Sequence, residues 1–149
     1  MTTVIQRSAL VAYPARQMFE LVNAIEEYPR FLPWCRSTKI NATSEHAIEA
    51  SIEIAWSGIH KSFSTRNTLT PYEKIHMQLL SGPFRRLEGT WTFIPVDEHG
   101  CRVSLDLEFE LSGHWMSKLF QPVFHRIADS LVDAFCKRAV EVYGIQGNP

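Results

Sequence analysis

Residues 101–143 read CRVSLDLEFELSGHWMSKLFQPVFHRIADSLVDAFCKRAVEVY, and two hydrophobic periods meet inside them. Val103, Leu105, Leu107, Phe109 and Leu111 alternate with Arg102, Ser104, Asp106, Glu108 and Glu110. That is the period of a strand with one buried face. Beyond Ser112-Gly113 the apolar residues recur every three or four positions: Met116, Leu119, Phe120, Val123, Phe124, Ile127, Leu131, Ala134, Phe135, Ala139 and Val142. This spacing predicts a helix from about Trp115 to Tyr143, ~28 residues and ~42 Å long, enough to cross a whole sheet. Pro122 is expected to kink it early, because it removes a donor and crowds the preceding turn. Gly144 suits the stop, and 145–149 read as a frayed tail.

Upstream, residues 3–12 read as a first strand. Pro14 suits the start of a short helix ending near Asn23, with Met18, Leu21 and Val22 at helical spacing. Pro29 and Pro33 block its continuation, so 25–35 is predicted to be a compact bend with one further helical turn. From about residue 36 the period becomes two. Ile48, Ala50, Ile52, Ile54 and Trp56 alternate with polar neighbours. Phe63, Thr65, Asn67 and Leu69 share one side of a more polar strand. Ile75, Met77 and Leu79 follow, then Leu87, Gly89, Trp91 and Phe93. Turns at Ser57-Gly58, Thr70-Pro71, Ser81-Gly82-Pro83 and 97–100 separate these runs. Consecutive strands joined by short turns form an antiparallel meander whose apolar face needs a cover. The expected architecture is α+β: a curved antiparallel sheet of about six or seven strands gripping one long C-terminal helix. It is a single domain over 1–149, ordered over about 2–144.

Composition narrows the function. The chain has 149 residues and a net charge of −1. Bulk charge therefore does not bind nucleic acid, although a local patch still can. No apolar run is long enough to span a bilayer, and the opening Met1-Thr2-Thr3-Val4, with no basic stretch before an apolar run, is not expected to be a secretory signal. The expected location is the cytoplasm, with a peripheral position at the inner membrane as the second placement. Cys35, Cys101 and Cys136 are odd in number and widely spaced, as reduced, buried thiols would be. Four Trp, four Tyr and nine Phe are generous for so small a domain. They either fill a core or line a cavity.

Three stretches resemble the coenzyme Q-binding, START-like family, grouped with polyketide cyclase/dehydrase and lipid transport proteins. They are Tyr28-Pro29-Arg30-Phe31-Leu32-Pro33-Trp34-Cys35, residues 82–93 (GPFRRLEGTWTF) and residues 131–139 (LVDAFCKRA). The resemblance covers essentially the whole chain. It implies a Bet v 1-like helix-grip fold with a hydrophobic cavity. It also implies ubiquinone or another isoprenoid lipid as ligand, with no cofactor required. The short bacterial branch, to which this chain is similar, includes ribosome association toxins. Those are linked to binding the large ribosomal subunit and blocking its union with the small one.

Candidate ligand contacts follow. Phe31, Leu32 and Trp34 sit on a proline-stiffened loop that either guards a cavity or plugs one end of the core. Trp56, Phe63, Phe84, Trp91 and Phe93 project from strands, and Phe120, Phe124 and Phe135 from the helix. Flat rings suit quinones and isoprenoid tails. Any one of them also fits a filled core. An inward Arg66 would hydrogen-bond a carbonyl; an outward one is a solvated cation, the commoner case. Arg30, Arg36 and Lys39, and Arg85 with Arg86, are the candidate ribosome contacts. Asp106, Glu108 and Glu110 read as a solvated face unfit for RNA. The six histidines form no metal-ligand spacing, and His125 with Asp129 alone is not a metal site. No acid–base pair for catalysis can be named. The expected function is therefore a non-enzymatic protein holding a quinone or polyprenyl lipid. The alternative is a toxin-like binder of the large ribosomal subunit, and a cyclase comes third.

Overall fold

The computed structural model describes residues 2–144. Seven strands form one antiparallel sheet in the order β1-β7-β6-β5-β4-β3-β2. They are β1 (Thr3–Val11), β2 (Cys35–Thr43), β3 (Ala47–Trp56), β4 (Ile59–Thr70), β5 (Lys74–Ser81), β6 (Phe84–Pro95) and β7 (Cys101–Leu111). Helix α1 (Ala15–Asn23) and a 3₁₀ segment (Ile25–Arg30) carry the chain from β1 at one edge to β2 at the other. Helix α2 (His114–Tyr143) runs unbroken through Pro122 and lies against β7 and β1. The frayed tail predicted for 145–149 falls outside the described residues.

Strand β2 has no counterpart in the alternating apolar pattern. It is an edge strand whose side chains are mostly exposed, so selection for one buried face is absent there. Its register shifts between Cys35 and Ser37 and again between Ile40 and Ala42. Such bulges increase local twist and help curl the sheet. The Ser57-Gly58 turn carries positive φ at both residues, the geometry that matches strand twist in a two-residue hairpin. At Gly82 φ is 142°, and a Cβ there would lie 2.6 Å from Cβ of Phe63. The β5–β6 turn thus folds tightly over β4.

The core lies between the concave face and α2. Phe109 of β7 is fully buried, with its ring centroid 4.8 Å from that of Phe124. Phe124 also meets Phe84 at 4.9 Å, and Phe120 packs beside both. Tyr13 and Tyr143 pin the far end. The Tyr13 hydroxyl donates to the Gly144 carbonyl at 2.6 Å, and that of Tyr143 to the Gln17 carbonyl at 3.0 Å. Two positions predicted for the apolar stripe, Leu119 and Val142, are instead exposed. Phe109→Ala should lower the unfolding free energy by about 3–5 kcal/mol in urea denaturation. A loss below about 1 kcal/mol would show that the ring is not tightly packed.

Candidate functional site

Helix α2 approaches the sheet backbone at β1 and β7 and leaves room over the strands beyond. An apolar cavity of about 80 Å³ occupies that room. Its helix wall is Phe124, Ile127, Ala128, Leu131 and Phe135. Its sheet wall includes Ala50 and Ile52 of β3, Phe63 of β4, Met77 of β5, and Leu87 and Trp91 of β6. Gly89 has no side chain between Met77 and Leu107, so those two close over it; a Cβ there would lie 2.6 Å from Leu107. Ile25, Tyr28 and Trp34 seal the end nearest the 3₁₀ segment.

Of the ligand contacts expected from sequence, Trp34, Phe63, Trp91, Phe124 and Phe135 line this cavity. The others lie elsewhere. Phe84 and Phe120 are buried in the aromatic cluster behind it. Phe93 is buried against Phe19 and Trp91. Leu32 is 1% exposed and closes the end of the core. Phe31 is half-buried outside, under the Arg138 guanidinium, 4.9 Å from its ring centroid. Trp56 is 40% exposed at a strand end. The proline-framed loop is therefore mostly a plug, and Trp34 with Tyr28 forms its cavity face.

Arg66 requires a correction as a ligand contact. It points out of the sheet toward Glu49, at 3.9 Å, because the pleat alternates faces and its neighbours take the inside. Those neighbours, Thr65 and Asn67, are 6% and 7% exposed and line the cavity. The Thr65 hydroxyl donates to the Asn67 side-chain carbonyl at 2.9 Å. Sequence reasoning placed both on the same side of β4 as Phe63 and Leu69 without assigning them a role. The available signal was two polar residues in an otherwise apolar inward row.

Among the described residues, Tyr28 is the one titratable group in the cavity lining. Burial pushes its phenol well above the ordinary range, and its hydroxyl donates to the Val22 carbonyl. All three cysteines are free. Burial raises Cys35 and Cys101 to about 11 each, and raises Cys136 as well. Among the described residues, no group of three or more His, Cys, Asp or Glu could hold a metal. Asp129 pairs with Arg7 at 3.4 Å rather than acting with His125.

The candidate cations are distributed over the outer surface. Arg86 bridges Glu108 at 2.7 Å and Glu88 at 3.9 Å. Those two glutamates stand directly opposite each other on β6 and β7, so the arginine offsets a like-charge pair. Arg85 lies 3.5 Å from Glu110. Arg30 pairs with Glu27 at 3.5 Å, and Arg36 approaches Glu53 at 3.9 Å. Among these candidates and the described residues, Lys39 has no carboxylate within ion-pair distance.

A curved sheet gripping one long helix around an apolar cavity defines a START-like protein. The chain belongs to the family described as polyketide cyclase/dehydrase and lipid transport, which matches residues 11–136. It is 43% identical to ribosome association toxin RatA of Pseudomonas aeruginosa, over 97% of this chain and 100% of that one. It is 24% identical to coenzyme Q-binding protein COQ10 homolog B of Xenopus laevis, over 95% of this chain and 60% of that one. The crystal structure of Zhui aromatase/cyclase from Streptomyces sp. superposes with a TM-score of 0.82 at 16% identity, over 97% and 99% of the two chains. That likeness concerns the fold alone. Among the described residues, no helix is long and apolar enough to cross a membrane.

The raised thiols give a pH prediction. Unfolded cysteines ionise near 9.0 and folded Cys35 and Cys101 only near 11. Between those values the unfolded state has shed protons that the folded state keeps. Stability should therefore be full below about pH 9 and fall as pH rises toward 11, as read by urea midpoints. At pH 8 the same shift predicts roughly hundredfold slower disulfide-reagent labelling of these two thiols than in the unfolded chain. Equal labelling rates would contradict their burial.

Proposed function

We propose that this protein acts in the cytoplasm by associating with the large ribosomal subunit, as a toxin of the RatA kind. What carries the reading is the 43% identity spanning 97% of this chain and the whole of that relative. The structure adds which cations are free for phosphate. Arg85 and Arg86 are held by glutamates on the outer sheet face, so their capacity to neutralise RNA is largely used. On α2, Lys118, Arg126 and Lys137 are exposed. At 100° per residue they fall within about a quarter to a third of the helix circumference, a sector they share with Asp129, which pairs with Arg7, and the exposed Asp133. None of them has a carboxylate within ion-pair distance among the described residues. Phosphate contact by such a stripe is electrostatic and releases counterions, so it weakens steeply with salt.

In sucrose gradients the purified protein should co-migrate with large subunits at low salt and leave them as salt rises. Lys118→Glu/Arg126→Glu/Lys137→Glu should reduce that association more than Arg85→Glu/Arg86→Glu. Absence of the wild-type protein from subunit fractions at low salt would overturn the reading.

A second function is supported by the cavity: binding a neutral apolar molecule such as ubiquinone or another isoprenoid lipid. Its walls are aromatic and aliphatic, and no charged side chain lines them. At about 80 Å³ it is well below the ~300–1,000 Å³ of pockets that hold drug-sized ligands. Its residues match a quinone in chemistry, and its volume does so only once the wall opens. Ile52, Phe63, Met77 and Leu131 are half-buried and form the outer part of the lining. The lining carries no acid–base pair for a cyclase reaction, so the proposed role is binding without turnover. Native mass spectrometry and lipid extraction of protein from its own host should show a retained quinone or polyprenyl species. Lipid-free protein with no saturable uptake would remove this second function.

A further inference from the structure

Two polar side chains in a cavity this apolar need a reason. Removing an amide from water without a compensating hydrogen bond costs roughly 1–3 kcal/mol in proteins. Thr65 and Asn67 are each more than nine-tenths buried and face the cavity from β4. Their mutual bond uses the Thr65 hydroxyl proton and one lone pair of the Asn67 carbonyl. It leaves the Asn67 Nδ2 group, with two N–H donors, without a partner among the described residues. The cavity's remaining walls cannot satisfy it. Ile48 and Met77 are its cross-strand neighbours, and Phe63 and Leu69 share its side of β4.

We infer that Thr65 and Asn67 form a hydrogen-bond site, in which the Asn67 amide donates to a carbonyl or hydroxyl oxygen on a neutral apolar ligand. Thr65 is the positioning residue. By donating to the amide oxygen it fixes which end of Asn67 faces the cavity. No charged group is available to neutralise an ion, so carboxylates and phosphates are excluded from this pocket. The ligand class is therefore a ketone, quinone or alcohol carried on a hydrocarbon frame. The inference rests on the reading that the cavity takes an apolar ligand.

The test uses two ligands of nearly the same shape, acetophenone and α-methylstyrene, in which a carbonyl replaces a methylidene. Both are titrated into ¹⁵N-labelled wild-type protein and into Thr65→Val/Asn67→Leu, and the dissociation constants are compared as a ratio. The ratio cancels the difference in ligand hydration. The preference for the ketone should fall by about fivefold in the double variant, the size of one ordinary hydrogen bond. The Asn67 side-chain amide resonance should shift with the ketone and stay in place with the hydrocarbon. Because both polar partners are removed together, the variant should be as stable as wild type or more so. The resonance readout needs no variant, so the test survives even if the variant does not fold. A ketone that binds without moving that resonance overturns the inference and leaves the cavity reading standing. An unchanged ratio with both ligands bound does the same. Failure of both ligands to bind wild type overturns the inference and the cavity reading together.

Discussion

One long helix, helped at one end by the short α1, has to cover the apolar face of a seven-stranded sheet, and the rest of the molecule follows from that mismatch. A 30-residue helix extends ~45 Å but is only about 10–12 Å wide with its side chains. Seven strands at about 4.8 Å spacing are more than twice that width. The sheet must curl, and the helix backbone is close only at β1 and β7. Large rings bridge the remaining distance. Phe124 is the clearest case, reaching Phe63, Phe84 and Phe109 at once. Phe135 does the same toward Tyr28, Phe31 and Trp91. The generous aromatic content is thus a consequence of geometry. Where even rings fall short, a cavity of about 80 Å³ remains.

The outer surface follows a different rule. The convex face of the sheet ties its acidic side chains into a ladder of pairs. His76 meets Glu88 at 2.8 Å, Arg86 meets Glu108, and the His60 ring meets Glu53. Exposed pairs of this kind contribute little to stability individually. Arg85 and Arg86 are paired there, whereas Lys118, Arg126 and Lys137 on the outer side of α2 have no carboxylate within ion-pair distance among the described residues, with Asp129 and Asp133 on the same side of the helix. A near-zero net charge is therefore compatible with a local group of cations. This is what allows a ribosome-binding reading in a chain whose composition argues against nonspecific nucleic-acid binding.

One fold supports very different activities, because function resides in sites placed on it. The relatives and structural neighbours span a ribosome association toxin, a coenzyme Q-binding protein and an aromatase/cyclase. In this chain the cavity presents hydrocarbon, aromatic rings and one polar pair, and Tyr28 is held protonated by burial. That equipment suits the binding role proposed for the cavity. The cavity and the α2 surface face opposite sides of the same helix, so ligand binding and ribosome association can coexist in one molecule.

The order and type of the elements were legible in the sequence wherever one face is buried and the other wet. Strands β3 to β7 and helix α2 satisfy that condition, and hydrophobic periods of two and 3.6 residues report it directly. Edge strand β2 was not legible, since Cys35–Thr43 buries too little to impose a pattern. Of the site, Trp34, Phe63, Trp91, Phe124 and Phe135 could be named from residue type and position. Whether a ring lines the cavity or fills the core beside it depends on a few ångströms of helix-to-sheet distance. No local pattern encodes that distance, which is why Phe84 and Phe93 could not be told from Trp91. Arg66 shows the limit most clearly. Its charge drew attention, while the pleat turned it outward and put Thr65 and Asn67 inside. By itself, the sequence determined the elements, their amphipathic faces and the need for one long helix to cover a curved sheet, because these depend on neighbours along the chain. The tertiary structure alone decided which side chains share the leftover volume and which cations keep a free charge, because both depend on distances between strands far apart in sequence.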